Sequence, residues 1–166
     1  MRRLESRLRK IVVCDPEKCN GCKICEYICS YASEGVLNIK KARIRVVRIE
    51  PFLNLAVTCR KCEDPPCVKA CPRDALKQKS NGVIVVDENK CNGCGWCVEA
   101  CPFGVIRLHL DKRKVIVCDY CEKQGFPQCV QYCPKEALNY VTLDQAAREL
   151  SKKAVQILLE EIVVKR

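Results

Sequence analysis

Aromatic residues are scarce in this 166-residue chain, which has three Phe, one Trp and five Tyr. So small a set offers no stacking platform for nucleic acid. Histidine is nearly absent too. His109 stands alone in a segment that reads as a strand, with no nucleophile or carboxylate pair patterned around it. It is assigned to surface or packing, and no catalytic site is expected. No run approaches the roughly 18–20 apolar residues of a membrane span. The basic stretch Met1 to Lys10 is followed only by Ile11-Val12-Val13 before Asp15 and Pro16, well short of a signal-peptide core of roughly 7–15 residues. Arg2-Arg3 has no export-type apolar segment behind it and reads as plain charge. These absences lead to the expectation of a cytoplasmic chain that is not its own membrane anchor.

Cysteine, by contrast, is abundant. Sixteen of 17 cysteines fall into four groups: Cys19-Cys22-Cys25-Cys29, Cys59-Cys62-Cys67-Cys71, Cys91-Cys94-Cys97-Cys101 and Cys118-Cys121-Cys129-Cys133. Each spacing can wrap three thiolates around one iron–sulfur cube and send a fourth elsewhere. Cys91 to Pro102 matches C-x2-C-x2-C-x3-C-P residue for residue, the bacterial ferredoxin run whose fourth cysteine ligates the other cluster of a two-cluster protein. Four groups imply four [4Fe–4S] clusters and therefore electron transfer. A disulfide scaffold would suit a small secreted chain with an even cysteine count; here the count is odd. A structural zinc module is the better rival, since paired CxxC units build four-cysteine sites. These groups, however, are triplets with a fourth cysteine, three times followed by proline.

Charge has to be reassessed in that light. The formal +10 invites a nucleic-acid or acidic-membrane reading. Sixteen ligated thiolates and four oxidised cubes of about +2 each bring it to about +2. The basic residues then mostly balance the clusters, and nucleic-acid binding loses its support. Clusters should also replace much of an ordinary apolar interior, so the apo-protein should fold poorly. A compact chain of this length is about 40 Å across, which spaces four clusters on the order of 10–13 Å apart, suited to tunnelling.

The chain repeats itself. Val12 to Cys22 lines up with Val85 to Cys94, placing Asp15 with Asp87 and Cys14 with Val86. Pro66 to Leu76 resembles Gln128 to Leu138 in Cys67/Cys129, Cys71-Pro72/Cys133-Pro134 and Ala75-Leu76/Ala137-Leu138. The order A-B-A′-B′ suggests duplication of a two-motif unit. Gly82 to Asp87 reads as a strand after a Ser80-Asn81-Gly82 turn, and Ile11-Val12-Val13 and Val115-Ile116-Val117 as short strands entering cluster loops. Short helices are expected after the fourth cysteines, with Pro72 and Pro134 as helix starts. Between the first two groups lies a cluster-free insertion, Tyr31 to Thr58. In it Arg43-Ile44-Arg45-Val46 alternates as a strand with a basic face, solvated or used for docking.

From Leu143 to Leu159, the residues Leu143, Ala147, Leu150, Ala154, Ile157 and Leu158 recur at helical spacing, and Thr142 with Gln145 forms a capping box. Two fates are open for this helix: packing on its own domain, or clamping another subunit. Cys14 holds a valine's place and reads as a buried apolar thiol. Trp96, inside the third loop, is expected to shield a cluster from water.

Four motifs in this order resemble the four-cluster ferredoxin-type electron-transfer subunits of multi-subunit oxidoreductases, over roughly residues 11 to 142. The resemblance implies an α+β fold of two pseudo-symmetric ferredoxin-like domains, one inserted in the other, plus a C-terminal helix. Residues 1–50 with 111–142 would form the discontinuous domain, 51–110 the inserted one, and 143–166 the tail. It also implies the ligand sets: Cys19, Cys22, Cys25 with Cys133; Cys118, Cys121, Cys129 with Cys29; Cys59, Cys62, Cys67 with Cys101; and Cys91, Cys94, Cys97 with Cys71. Spacing alone would equally allow the first group to pair with the second. Ser30 replaces the family's proline after Cys29, which touches the local turn and not the ligand. The segment Ala32-Ser33-Glu34-Gly35-Val36-Leu37-Asn38 leading to Ala42-Arg43-Ile44-Arg45-Val46 resembles the small subunits of tungsten-dependent aldehyde oxidoreductases. Such a chain would relay electrons from a larger tungsten–pterin catalytic subunit to an external ferredoxin. Similar subunits serve carbon monoxide dehydrogenases, hydrogenases and formate dehydrogenases, and a free polyferredoxin is the remaining alternative. Richness in Lys, Glu, Ile and Val points to a thermophile.

Overall fold

A computed structural model describes residues 9–49, 53–109 and 111–164. Arg2-Arg3 and the expected domain boundaries at residues 50–51 and 110 fall outside them. The described elements are short, because the chain repeatedly breaks off to wind around cysteines. Eight strands make four separate two-stranded antiparallel ladders. β1 (Lys10–Cys14) pairs with β8 (Leu138–Thr142), β2 (Arg45–Ile49) with β3 (Leu53–Val57), β4 (Leu76–Gln78) with β5 (Ile84–Val86), and β6 (Arg107–Leu108) with β7 (Val115–Ile116). Five α-helices join them: α1 (Ile24–Glu34), α2 (Pro66–Lys69), α3 (Trp96–Glu99), α4 (Gln128–Gln131) and α5 (Leu143–Val164). It is a mixed helix and strand fold.

The β1–β8 ladder ties the start of the first cysteine segment to the end of the fourth, with Val12 opposite Tyr140 and Cys14 opposite Leu138. The β4–β5 ladder ties the second segment to the third, Leu76 opposite Val86. The same contacts recur at both. Asp15 N donates to Ala137 O and Asp87 N to Ala75 O, each at 2.7 Å. Cys19 N donates to Asp15 O at 3.1 Å and Cys91 N to Asp87 O at 3.0 Å. The two aspartates that the repeat aligned therefore occupy matching places, each closing the turn before a cysteine loop. The core mixes aliphatic side chains, of which Ile44, Val12 and Val83 are the most deeply buried, with buried cysteines.

Several expected elements are where the sequence put them, including β1, β5 and β7. The helices after the fourth cysteines are not. α2 and α4 precede them, carrying Cys67 and Cys129, while Pro72 and Pro134 open turns that run into β4 and β8. Both turns contain a left-handed residue, Asp74 at φ 48° and Glu136 at φ 48°, and a helix opened at the proline could not run through that conformation. The insertion after Tyr31 holds no cysteine, but its first residues continue α1, which spans 11 residues and holds both Cys25 and Cys29 on one face, four apart. It also explains Ser30. Proline there would break the helix interior, whereas the Ser30 hydroxyl donates to Tyr27 O at 2.8 Å and accepts from Asn38 N at 3.0 Å. The expected strand at Arg43 begins at Arg45 and continues to Ile49.

The tail is a helix, as its periodicity indicated, and the capping box is formed: Gln145 N donates to Thr142 Oγ1 at 3.2 Å and Thr142 N to Gln145 Oε1 at 3.0 Å. It does not bury its stripe on its own domain. Leu143, Leu150, Ile157 and Leu158 are exposed, and α5 is tethered at its start by β8 and by Lys153, which bridges Asp15 and Glu17 at 3.0 Å each. No helix among the described residues is long and apolar enough to cross a membrane.

Candidate metal centres

The cysteine loops share one local geometry. In each C-x-x-C unit the residue before the second cysteine is left-handed: Gly21 at φ 70°, Lys61 at φ 50°, Gly93 at φ 72° and Tyr120 at φ 58°. The residue before that is Asn20, Asn92 or Asp119 in three of the units, and its side-chain oxygen accepts the second cysteine's N–H at 3.2, 3.3 and 3.1 Å. These side-chain turns curl the loop so that its thiols face a common centre.

The fourth cysteine of each group points away from its own triplet. Cys19, Cys22, Cys25 and Cys133 line one cavity with Pro134 and Leu138. Cys59, Cys62, Cys67 and Cys101 line a second with Pro65, Pro66, Pro102 and Phe103. The thiolates that bear electrostatically on Cys97 are those of Cys71, Cys91 and Cys94. Those bearing on Cys129 include Cys29 and Cys121, and on Cys118 they include Cys29 and Cys129. Two cavities thus each bring three cysteines of one group together with the fourth of another. Among the described residues, no three His, Cys, Asp or Glu side chains gather closely enough to hold one metal ion.

The surroundings suit thiolates bound to a larger charged group. Backbone N–H groups donate to sulfur from Arg43 to Cys29 at 3.2 Å, from Ala75 to Cys71 at 3.3 Å and from Ala137 to Cys133 at 3.4 Å. Burial, with the neighbouring thiolates adding to it, pushes the Cys25 and Cys67 thiols up to about 12 and Cys97 up to about 11. Burial raises the Cys118 thiol as well. Such sites hold protonated thiols until a cationic group takes the sulfurs as ligands. A [4Fe–4S] cube, with four cysteinyl corners and N–H···S support, fits this donor set.

Exposure differs along the series. Cys22 and Cys94 are exposed, whereas Cys59, Cys67, Cys118 and Cys129 are buried. Cys62, Cys101 and Cys121 are half-buried. Trp96 does not shield its loop as expected: it is 64% exposed at the start of α3. Cys14 is buried, as its valine-like place suggested, but it is not in purely apolar surroundings, since its thiol donates to Asp15 O at 3.8 Å. His109 is buried at the β6–β7 turn, where Nδ1 accepts from Asp111 N and Lys112 N at 3.2 Å and Nε2 meets Glu34 at 3.4 Å. That is a packing role.

Two residues of the site were not legible as such. Lys61 and Tyr120 lie in the second and fourth C-x-x-C units, where the first and third have glycine. The alignment of the units was the signal available, and it marks the positions without revealing that their side chains meet.

The family model described as a 4Fe-4S dicluster domain matches residues 52–143. The chain is 43% identical over 135 residues to the aliphatic sulfonate oxidoreductase, polyferredoxin-like subunit of Pyrococcus furiosus, covering 79% of this chain and 77% of the relative. It is 33% identical to a subunit of the anaerobic dimethyl sulfoxide reductase of Escherichia coli, covering 84% of this chain and 74% of that subunit. It is 30% identical to the thiosulfate reductase electron transfer subunit of Salmonella typhi, covering 82% and 77%.

Proposed function

Because the chain belongs to the 4Fe-4S dicluster domain family, we propose that it is an electron-transfer subunit carrying four [4Fe–4S] clusters for a larger catalytic oxidoreductase. The observation that supports this is the pair of cavities in which Cys133 joins Cys19, Cys22 and Cys25, and Cys101 joins Cys59, Cys62 and Cys67. The first cluster takes Cys19, Cys22, Cys25 and Cys133, and the second Cys118, Cys121, Cys129 and Cys29. The third takes Cys59, Cys62, Cys67 and Cys101, and the fourth Cys91, Cys94, Cys97 and Cys71. When bound, the clusters supply reversible one-electron chemistry at four points. The chain's part is to hold them and to bring two of them to the surface at Cys22 and Cys94.

The matching Asp15–Ala137 and Asp87–Ala75 bonds support two pseudo-symmetric units, 1–50 with 111–142 and 51–110, the second inserted in the first. The tail from residue 143 would then be an appendage outside both. Its exposed apolar stripe supports a role against another subunit rather than in the core of this one. Donors and acceptors of electrons at the two exposed ends would be the catalytic subunit and an external redox protein such as a ferredoxin.

The catalytic subunit is proposed to be a molybdenum- or tungsten-dependent oxidoreductase. The tungsten-dependent aldehyde oxidoreductase suggested by residues 32–46 is one member of that class. Relatives named for a sulfonate, a sulfoxide and thiosulfate favour a second reading within it, an enzyme acting on an oxidised sulfur compound. Anaerobic purification of the tagged chain from its source organism, with metal analysis of the co-purifying large subunit, tests the proposal. A permanent complex buries well over about 1,000 Å² and should survive the columns. Tungsten or molybdenum in the partner is the expected result. Nickel would redirect the reading to carbon monoxide dehydrogenase or hydrogenase, and a partnerless monomer would make the chain a free polyferredoxin.

A further inference from the structure

The left-handed position of the C-x-x-C loop is glycine in the first and third groups and a side-chain-bearing residue in the second and fourth. A non-glycine residue there costs about 1–2 kcal/mol, and strain of this kind persists where the side chain has a use. The two exceptions, Lys61 and Tyr120, meet each other. Lys61 Nζ lies over the Tyr120 ring, 3.8 Å from its centroid, close enough for a cation–π contact. The Tyr120 hydroxyl donates to Cys59 O beside the fully buried Thr58. Both residues are enclosed, Lys61 at 7% and Tyr120 at 4% exposure. The ammonium therefore sits where the second cysteine loop, which carries Lys61, meets the fourth, which carries Tyr120, loops that open at Cys59 and Cys118. The nearby carboxylate of Glu122 is already engaged by Lys79 at 2.6 Å and Asn81 at 2.8 Å.

Resting on the four-cluster reading above, we propose that Lys61, held over Tyr120, is the residue that sets the reduction potentials of two of the clusters, those of Cys118 and Cys59. Reduction adds one electron, and so one negative charge, to a centre whose ligands Cys59 and Cys67, or Cys118 and Cys129, are buried. A fixed cation beside both favours the reduced form of each and leaves the other two, ligated at Cys22 and Cys94, nearly untouched. Lys61 is a positioning residue of the electron path and ligates nothing. Its equivalence to glycine in the sister loops means that the strained side chain was kept for its charge and not for the turn.

The informative variant is Lys61→Gly, which gives the loop the residue its repeats use and removes the cation without straining the backbone. In the anaerobically purified complex or full chain, iron content should stay at the wild-type value. Redox titration followed by electron paramagnetic resonance should show two of the four midpoint potentials lowered. The expected size is roughly a tenfold change in the oxidised-to-reduced ratio at fixed potential, or 59 mV for a one-electron couple. Lys61→Arg should restore the wild-type values, and Lys152→Gly, the same charge change on exposed α5, should move none. Unchanged potentials in Lys61→Gly, or an equal shift of all four, would overturn the proposal. Loss of iron from both Lys61→Gly and Lys61→Arg would overturn it in favour of a structural role. A wild-type chain with fewer than four reducible clusters would instead defeat the reading on which the proposal rests.

Discussion

Replacing Gly93 with alanine should release the fourth cluster before any other. Gly93 lies at φ 72°, and a Cβ built on it falls inside the contact shell of Arg113 O and 2.9 Å from the Arg113 carbonyl carbon. Ordinary carbon contacts are about 3.5–4.0 Å, so the carbonyl would have to retreat by at least about 0.6 Å. It has little freedom to do so. Arg113 is itself left-handed at φ 50°, its N–H donates to His109 O at 3.1 Å, and His109 N donates to Lys114 O at 2.6 Å. Lys114 Nζ in turn donates to Glu88 O at 2.6 Å and to Cys91 O. The left-handed backbone costs about 1–2 kcal/mol and the forced overpacking about 1–3 kcal/mol more. Gly35→Ala is the matched control: its φ is 69° and nothing lies within 4 Å of its Cβ, so it bears the first cost alone. The extra cost in Gly93→Ala corresponds to roughly 5- to 150-fold more of the opened loop. The assay is the anaerobic decay of visible cluster absorbance on mild warming, with iron counted at intervals. Gly93→Ala should lose about a quarter of its iron in a fast phase that Gly35→Ala lacks. Equal decay of the two variants would refute the close-approach argument.

Ser30→Pro should break α1 at a cost of about 3 kcal/mol or more and strip Cys29 from its quartet. Ser30→Ala, which loses two hydrogen bonds of about 1 kcal/mol each, should keep all its iron and melt a few degrees lower. Cys133→Ser should perturb the cluster that also takes Cys19, Cys22 and Cys25, read as one altered paramagnetic signal among four. Were the disturbed cluster one containing third-group cysteines, the proposed ligand exchange would fail. Cys14→Ser should retain all iron, because its buried thiol is spent on Asp15 O; a drop in iron would make it a ligand.

Much of this architecture is written locally in the chain. The C-x-x-C loops carry their own turn instructions in Asn20, Asn92 and Asp119, and the aligned aspartates Asp15 and Asp87 make the same bond in two places. Short-range patterns of this kind survive any tertiary context, which is why β1, β5, β7 and the α5 capping box could be read in advance. What the sequence hid depends on where a segment goes next. Pro72 and Pro134 have the chemistry of helix starts, yet the fourth cysteine must reach another segment's quartet, and the left-handed residues Asp74 and Glu136 turn the chain toward β4 and β8. The serine after Cys29 looked like a blemish in the motif until α1 ran through it. Trp96 and the α5 stripe are apolar by composition and exposed in fact, since amphipathicity states that a face wants cover and not what covers it. The meeting of Lys61 with Tyr120 joins the second cysteine group to the fourth, and no periodicity reports such a contact.

Iron and acid-labile sulfide, quantified per chain in anaerobically purified protein, test the central claim most directly. Four cubes predict about sixteen of each, with zinc near zero. About eight of each would mean that only two quartets hold clusters, and zinc without sulfide would contradict the redox reading altogether.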